Sequence, residues 1–156
     1  MPLGKLKEYL ESHTVAYSLI PHAPTFTAQT TAEAAHVPGT ELAKTVMVTV
    51  DGQMAMAVLP ASEHVDFELL AEELGVKGVL LAVESDFKDI FVGCDVGAMP
   101  PFGNLYGLEV FVDGTLAEDE EIAFNAGTHT ELMKMRYDDY ASLVQPTVVR
   151  FARQPA

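Results

Sequence analysis

The sequence predicts a single α+β domain spanning residues 1–156, with a mixed or antiparallel central sheet and flanking helices. Three observations predict it. Lys44–Pro60 reads as a hairpin of two apolar strands around Asp51-Gly52. Stretches with helical spacing, above all Asp66–Leu74, alternate with strand-like ones. The chain has 156 residues, 49% of them hydrophobic and 21% charged. That is globular composition, of a length that suits one domain with a sizeable core, and it excludes a disordered chain.

Each element follows from local chemistry. Gly4–Ser12 sets Leu6, Tyr9 and Leu10 on one helical face, opposite Lys5, Lys7, Glu8 and Glu11. Val15–Ile20 reads as a strand stopped by Pro21 and Pro24. Thr30 or Thr31 can cap a helix through Glu33–His36, which Pro38-Gly39 ends, and Glu41–Ala43 is expected to add one turn. In the hairpin, Val46, Val48 and Val50 alternate with Met47 and Thr49, then Met54, Met56 and Val58 with Ala55, Ala57 and Leu59. Both faces of both strands are largely apolar, so the pair belongs in mid-sheet. Asp66 caps a helix whose stripe is Phe67, Leu70, Ala71 and Leu74, and Gly75 ends it. Gly78–Val83 reads as a buried strand and Glu84–Phe91 as a helix with Phe87, Ile90 and Phe91 inward. Strands at Leu108–Val112, Ile122–Ala126 and Leu132–Arg136, a helix at Tyr137–Leu143 and a final strand at Thr147–Ala152 complete the series.

Charge and cysteine usage exclude several functions. Nine Lys and Arg against 23 Asp and Glu leave a formal net charge of -14, which argues against a general nucleic-acid binder because phosphate contacts need cations. Cys94 is the one cysteine, so no intrachain disulfide is possible and a reducing cytoplasm fits. The five histidines are scattered, with no paired ligand spacing, so neither a metal nor a cofactor is expected. The first residues do not resemble a secretory signal, and no apolar run has the length of a membrane span.

Three features can carry chemistry. Lys44 stands at the mouth of a very apolar strand, either as an edge cation with its stem packed or as a point charge held for an anionic or carbonyl oxygen. Gly93–Asn104, with Pro100-Pro101 between glycines, is either a rigid connector or a preformed loop whose backbone N–H groups face a ligand. Asn125–Thr130 places His129 and two hydroxyls in a tight connection between strands; a lone histidine there is structural or catalytic. No nucleophile elbow, phosphate loop or dinucleotide loop is present.

In this order and spacing, Ala43-Lys44-Thr45-Val46-Met47-Val48, Gly97-Ala98-Met99-Pro100-Pro101-Phe102-Gly103 and Gly127-Thr128-His129-Thr130 resemble the YbaK/ProX family, which includes the editing insertion domain of bacterial prolyl-tRNA synthetases. The resemblance covers nearly the whole chain. It implies a deacylase acting in trans, without a metal, on the ester of a mischarged tRNA: tRNA-Pro or a related tRNA carrying a small wrong amino acid. It implies catalytic roles for Lys44, near the ester and terminal phosphate, for Gly97, whose backbone lies by the ester carbonyl, and for His129, at the amino-acid pocket. Substrate contacts are implied for Thr45, Met47, Met99, Pro101, Phe102, Gly103, Gly127, Thr128 and Thr130, with Met47, Met99, Phe102 and His129 walling the pocket. Relatives specialised for alanine carry Asn after the lysine; Thr45 matches the broader members.

The implied partners are the acceptor end of tRNA and a synthetase, with neither DNA nor membrane. Acidity and tRNA agree if contact is confined to the terminal nucleotides. Lys134 and Arg136, on one face of a Leu132–Arg136 strand, are the candidate phosphate contacts. Competing readings are a non-catalytic module that binds an amino acid, nucleotide or protein in the same cleft, and a hydrolase using Cys94.

Overall fold

The computed structural model describes residues 2–21, 42–87, 89–90, 99–127 and 131–153. In chain order its elements are α1 (Pro2–Ser12), β1 (Tyr17–Pro21), β2 (Leu42–Val50), β3 (Gln53–Pro60), β4 (His64–Val65), α2 (Phe67–Leu74), β5 (Val79–Leu81), α3 (Glu84–Phe87), β6 (Glu109–Asp113), β7 (Glu121–Asn125), β8 (Glu131–Arg136), α4 (Tyr137–Val144), β9 (Thr147–Val149) and β10 (Ala152–Arg153). Short 3-10 turns cover Gly103–Tyr106 and Leu116–Glu118.

A mixed sheet of eight strands organises these elements, in the order β1-β8-β7-β2-β3-β6-β9, with β5 also paired to β2. The β2–β3 hairpin is central, as its two apolar faces require. Asp51 and Gly52 both have positive φ, 47° and 87°, the backbone of a tight two-residue turn with the twist of the flanking strands. The Asp51 carboxylate also accepts from the Lys77 and Gly78 backbone N–H groups, tying the turn to the entrance of β5. Parallel pairs join β2 to β7, β3 to β6 and β6 to β9.

Each face of the sheet carries a core. One holds Met47, Met56, Val58, Phe124 and Met133 beneath Leu6 and Leu10 of α1 and Tyr140 and Val144 of α4. The other holds Val48, Ala57, Leu59 and Phe111 beneath Leu70 of α2 and Phe151. Burying a side chain of this size contributes about 1.5–3 kcal/mol. Asp66 caps α2 by accepting from the Leu69 N–H at 3.0 Å, and Gly75 closes it with φ 66°.

Four local expectations change. Leu42 and Ala43 are strand, not a helical turn, because they pair with Ala123 and Phe124 and are buried there. The strand expected at Gly78–Val83 shrinks to Val79–Leu81 and is buried only at Val79: Leu80 and Leu81 are 70% and 64% exposed on a strand whose one partner among the described strands is β2. The helix after it spans only Glu84–Phe87, with Phe87 buried and Ile90 half-buried; Phe91 lies outside the described residues. The final strand is broken into β9 and β10, which belong to different sheets, because the buried Asp113 carboxylate accepts the Phe151 and Ala152 N–H groups, each at 2.9 Å. The helix expected through Glu33–His36 lies outside the described residues.

Candidate functional site

The site begins with an asymmetry of β2. One edge pairs with β3 from Ala43 to Val50. The other edge is shared: β7 runs parallel to it at Leu42 and Ala43, and β5 runs antiparallel at Val48–Val50. The Ala82 N–H reaches the Met47 carbonyl at 2.9 Å and extends the β5 side by one bond. Between the two partners, Lys44, Thr45 and Val46 face a gap among the described strands. Diverging strands leave a crevice at such a point, the usual place for a ligand on a sheet with parallel strands.

Lys44 is half-buried at the β7 end of this gap, paired across to Leu59. Its pKa is lowered: burial penalises the ammonium, and the Glu63 carboxylate, just past the end of β3, pulls the other way. The pairing of β2 with β7 ends at Ala43 and Phe124; Lys44 and Asn125, one residue further on each strand, lie on the same face as Leu42, Ala123 and Leu132. Asn125 ends β7. Ala126 then donates to the Glu131 carbonyl at 3.2 Å, framing the turn that Gly127 opens with φ 99°. Gly127 is buried; Thr128, His129 and Thr130 lie outside the described residues.

At the β5 end, Thr45, Val46, Met47, Leu81, Ala82, Phe87 and Met99 line an open cavity of about 200 Å³. Met47 and Met99 are buried in its walls. Met99 is the first described residue after the Gly97 segment, and Gly97 itself lies outside the described residues. Thus Met99, the described flank of the proline-rich loop, meets Thr45, Val46 and Met47 of β2, directly after Lys44.

The rest of the proline-rich loop is held rigid from below. The Phe102 ring is fully buried, edge-on to Tyr9, Phe124 and Tyr140 at centroid distances of 6.4, 5.6 and 5.3 Å. The Phe102 ring packs in this core and shapes the loop from inside, and Phe102 is not among the residues that line the cavity beside Thr45 and Met47. Gly103 is also a packing position, because an added Cβ would fall 2.8 Å from Val110 Cγ2 and 3.1 Å from the Leu108 carbonyl oxygen. Pro101 is buried, and its carbonyl accepts from the Tyr140 hydroxyl at 2.7 Å. Burial, then the neighbouring Tyr137, pushes the Tyr140 pKa well above its ordinary value, so the hydroxyl stays a donor. On the outer side Lys5 donates to the Leu105 carbonyl at 3.2 Å, and Asn104 donates to the Tyr9 hydroxyl. Tyr140→Phe keeps the ring but strands a buried carbonyl. We expect a loss of about 1–3 kcal/mol, read as a lower midpoint in urea with an unchanged slope.

Lys134 and Arg136 share a face of β8, the face that Leu132 shares with Lys44 and Asn125. Each has an acidic neighbour: Glu121 at 3.8 Å from Lys134 and Asp138 at 3.9 Å from Arg136. Such exposed pairs contribute about 0–1 kcal/mol, so both cations are exchangeable. Among the described residues no group of three or more His, Cys, Asp or Glu is placed to hold a metal ion, and no helix is long and apolar enough to cross a membrane.

Residues 22–143 match the family model of the aminoacyl-tRNA editing domain. The chain belongs to that family. As an editing domain it is 34% identical over 102 residues to the multifunctional Ser/Thr-tRNA deacylase ProXp-y of Escherichia coli, in strains K12 and O157:H7; the match covers 65% of this chain and 60% of each relative. Among solved structures it is similar to hypothetical protein APE2540, with TM-score 0.83, 21% identity and 96% and 99% of the two chains covered. It is also similar to a candidate trans-editing enzyme for prolyl-tRNA synthetase, with TM-score 0.81, 17% identity and 97% of each chain covered. At these identities the structural likeness speaks for the fold, which is the one the sequence predicts.

Sequence reasoning missed two residues of this editing domain. Tyr140 lies in the expected helix Tyr137–Leu143 without a role of its own; its partner, Pro101, is 39 residues away. Asn125 falls both in the expected strand Ile122–Ala126 and in the connection Asn125–Thr130, and its side chain drew no role there; it is the last residue of β7.

Proposed function

We propose that the chain is an aminoacyl-tRNA deacylase acting in trans, which hydrolyses the ester between a small wrong amino acid and the terminal ribose of a tRNA. The observation that carries this reading is a half-buried Lys44 on the stretch of β2 left between β7 and β5, directly before the residues Thr45, Val46 and Met47 that line a small apolar cavity with Met99, in a member of the editing-domain family. Water adds to the ester carbonyl carbon, the carbon–oxygen bond to the ribose breaks, and the ribose oxygen leaves as a hydroxyl. An ester already held in place needs less chemical assistance than an amide, so orientation and electrostatic support of the developing oxyanion suffice in kind. Lys44 supplies the fixed cation. Gly97 and His129 keep the roles that the family resemblance implies, by the carbonyl and at the amino-acid pocket, and Thr128 and Thr130 keep the substrate contacts it implies.

The cavity beside Thr45, Met47 and Met99 is below the volume of a pocket for a drug-sized ligand and suits a small side chain. Lys134 and Arg136 are the proposed contacts for phosphates of the acceptor end, and the -14 charge keeps that contact short and salt-sensitive. A cytoplasmic location and delivery by a synthetase belong to the same proposal.

The test is a panel of tRNAs charged with Ala, Ser, Thr, Cys and Pro, the second and third chosen because they appear in the relatives' name. Release of a small amino acid faster than its spontaneous loss supports the reading. Saturable binding with no release from any tRNA overturns it in favour of a non-catalytic module, and loss of activity on thiol blocking moves the chemistry to Cys94.

A further inference from the structure

Asn125 is 9% exposed, and its side-chain Oδ1 is buried with no hydrogen-bond partner among the described residues. A buried acceptor left unpaired is costly and rare, and it calls for a specific explanation. Position supplies one. The residue ends β7 where that strand stops pairing with β2, on the face that carries Lys44. Asn125 and Lys44 each lie one residue beyond the last paired positions, Phe124 and Ala43, and so on the same face at the same end of the pairing.

Lys44 is a donor only and meets oxygens. Asn125 Oδ1 offers what Lys44 lacks, an acceptor at the same opening. A substrate donor must fill it. The terminal ribose of an aminoacyl-tRNA carries a neutral donor next to the ester, the free vicinal hydroxyl. The α-ammonium is the other donor, but it is charged, and Lys44 stands beside the acceptor with the same sign. A neutral donor avoids that repulsion.

We propose that Asn125 is a substrate-binding residue whose Oδ1 accepts a hydrogen bond from the ribose hydroxyl vicinal to the aminoacyl ester. The proposal rests on the deacylase reading for the identity of the substrate. It adds a residue that fixes the ribose, while Lys44 faces the ester oxygens or the terminal phosphate. It also explains the strand's last residue: apolar side chains of similar size would remove an unsatisfied group from the fold, at the expense of a neutral side-chain acceptor on the face that carries Lys44.

The test is binding, so that it stands apart from catalysis. The probes are the 3′-seryl amide of adenosine, which cannot be hydrolysed as an ester, and the same compound lacking the 2′-hydroxyl, each titrated by calorimetry into the folded protein. Wild type is expected to prefer the 2′-hydroxyl compound by about tenfold, the equivalent of one neutral hydrogen bond. Asn125→Leu is expected to lose that preference while its melting temperature is unchanged or higher, because an apolar group replaces an unpaired polar one. Asn125→Asp keeps an acceptor and is expected to keep the preference, which guards against a folding defect in the leucine variant. A wild type with no preference, or a leucine variant that retains it, overturns the assignment and leaves Oδ1 to bound water. A wild type that shows the preference but releases no amino acid from any charged tRNA overturns the deacylase reading and leaves Asn125 in place.

Discussion

Lys44→Ala is expected to slow ester hydrolysis by about 10²–10³-fold, the usual loss when one preorganised electrostatic contact to a developing oxyanion is removed. The magnitude follows from where the ammonium sits. It is half-buried at a break in the sheet, where its field is less screened than at a surface. The same burial, opposed by Glu63, holds its pKa below the usual value for a lysine. Two consequences separate a catalytic cation from a merely structural one. Activity is expected to fall on the alkaline side at a lower pH than the ordinary lysine pKa of about 10.4 predicts. Stability is expected to move the other way. A lysine whose pKa is lower in the folded than in the unfolded protein disfavours folding while it is charged, and that penalty fades as pH rises through the folded value. Lys44→Met, which keeps the apolar stem, is therefore expected to melt no lower than wild type at neutral pH while losing activity. Deacylation rates and thermal melts across pH on the two variants check this. Full activity in both variants, with wild-type far-UV circular dichroism, removes Lys44 from the mechanism.

Much of the fold was legible because its signals are local. Asp51-Gly52 between alternating apolar residues specifies a turn and a register together. Asp66 and Gly75 bracket α2 by satisfying its own terminal groups. What failed was non-local. Leu42 and Ala43 carry no strand pattern of their own; they are strand because Ala123 and Phe124 lie beside them. Val79–Leu81 is as apolar as a buried strand, but an apolar run does not reveal whether anything covers its faces, and here Leu80 and Leu81 remain exposed. The candidate site divides in the same way. Lys44 stood out by its position before an apolar strand. Asn125 did not, because its meaning depends on a neighbour 81 positions away in the chain that the parallel register brings alongside. Phe102 was assigned to the pocket wall because it adjoins a motif, whereas its ring turns into the aromatic cluster.

The second large effect concerns stability and comes from Asp113, 1% exposed at the end of β6. Its Oδ1 accepts from the Phe151 and Ala152 N–H groups, and its Oδ2 from the Thr115 N–H at 3.1 Å and the Thr115 hydroxyl. Burial alone would raise its pKa, but these hydrogen bonds outweigh it and hold the pKa below the ordinary carboxylate value. The contacts reach the site by a short route: they seat β10, β10 pairs with β4, and β4 directly follows Glu63, which faces Lys44. Asp113→Ala leaves buried N–H groups without an acceptor and is expected to lose about 3 kcal/mol or more. For a chain of this size that is a fall of roughly 10 °C in melting temperature. Asp113→Asn keeps the shape but turns one oxygen into a donor facing donors, so a similar loss is expected. The pH dependence carries the sign. Because the folded pKa lies below the unfolded one, the contribution is complete above the unfolded value near 3.9 and disappears as pH falls through the folded value. Wild type should therefore lose its advantage over Asp113→Asn below about pH 4, with the two unfolding midpoints converging on acidification. An advantage that persists undiminished at the lowest pH where both still fold would show that shape, not charge, makes the contact.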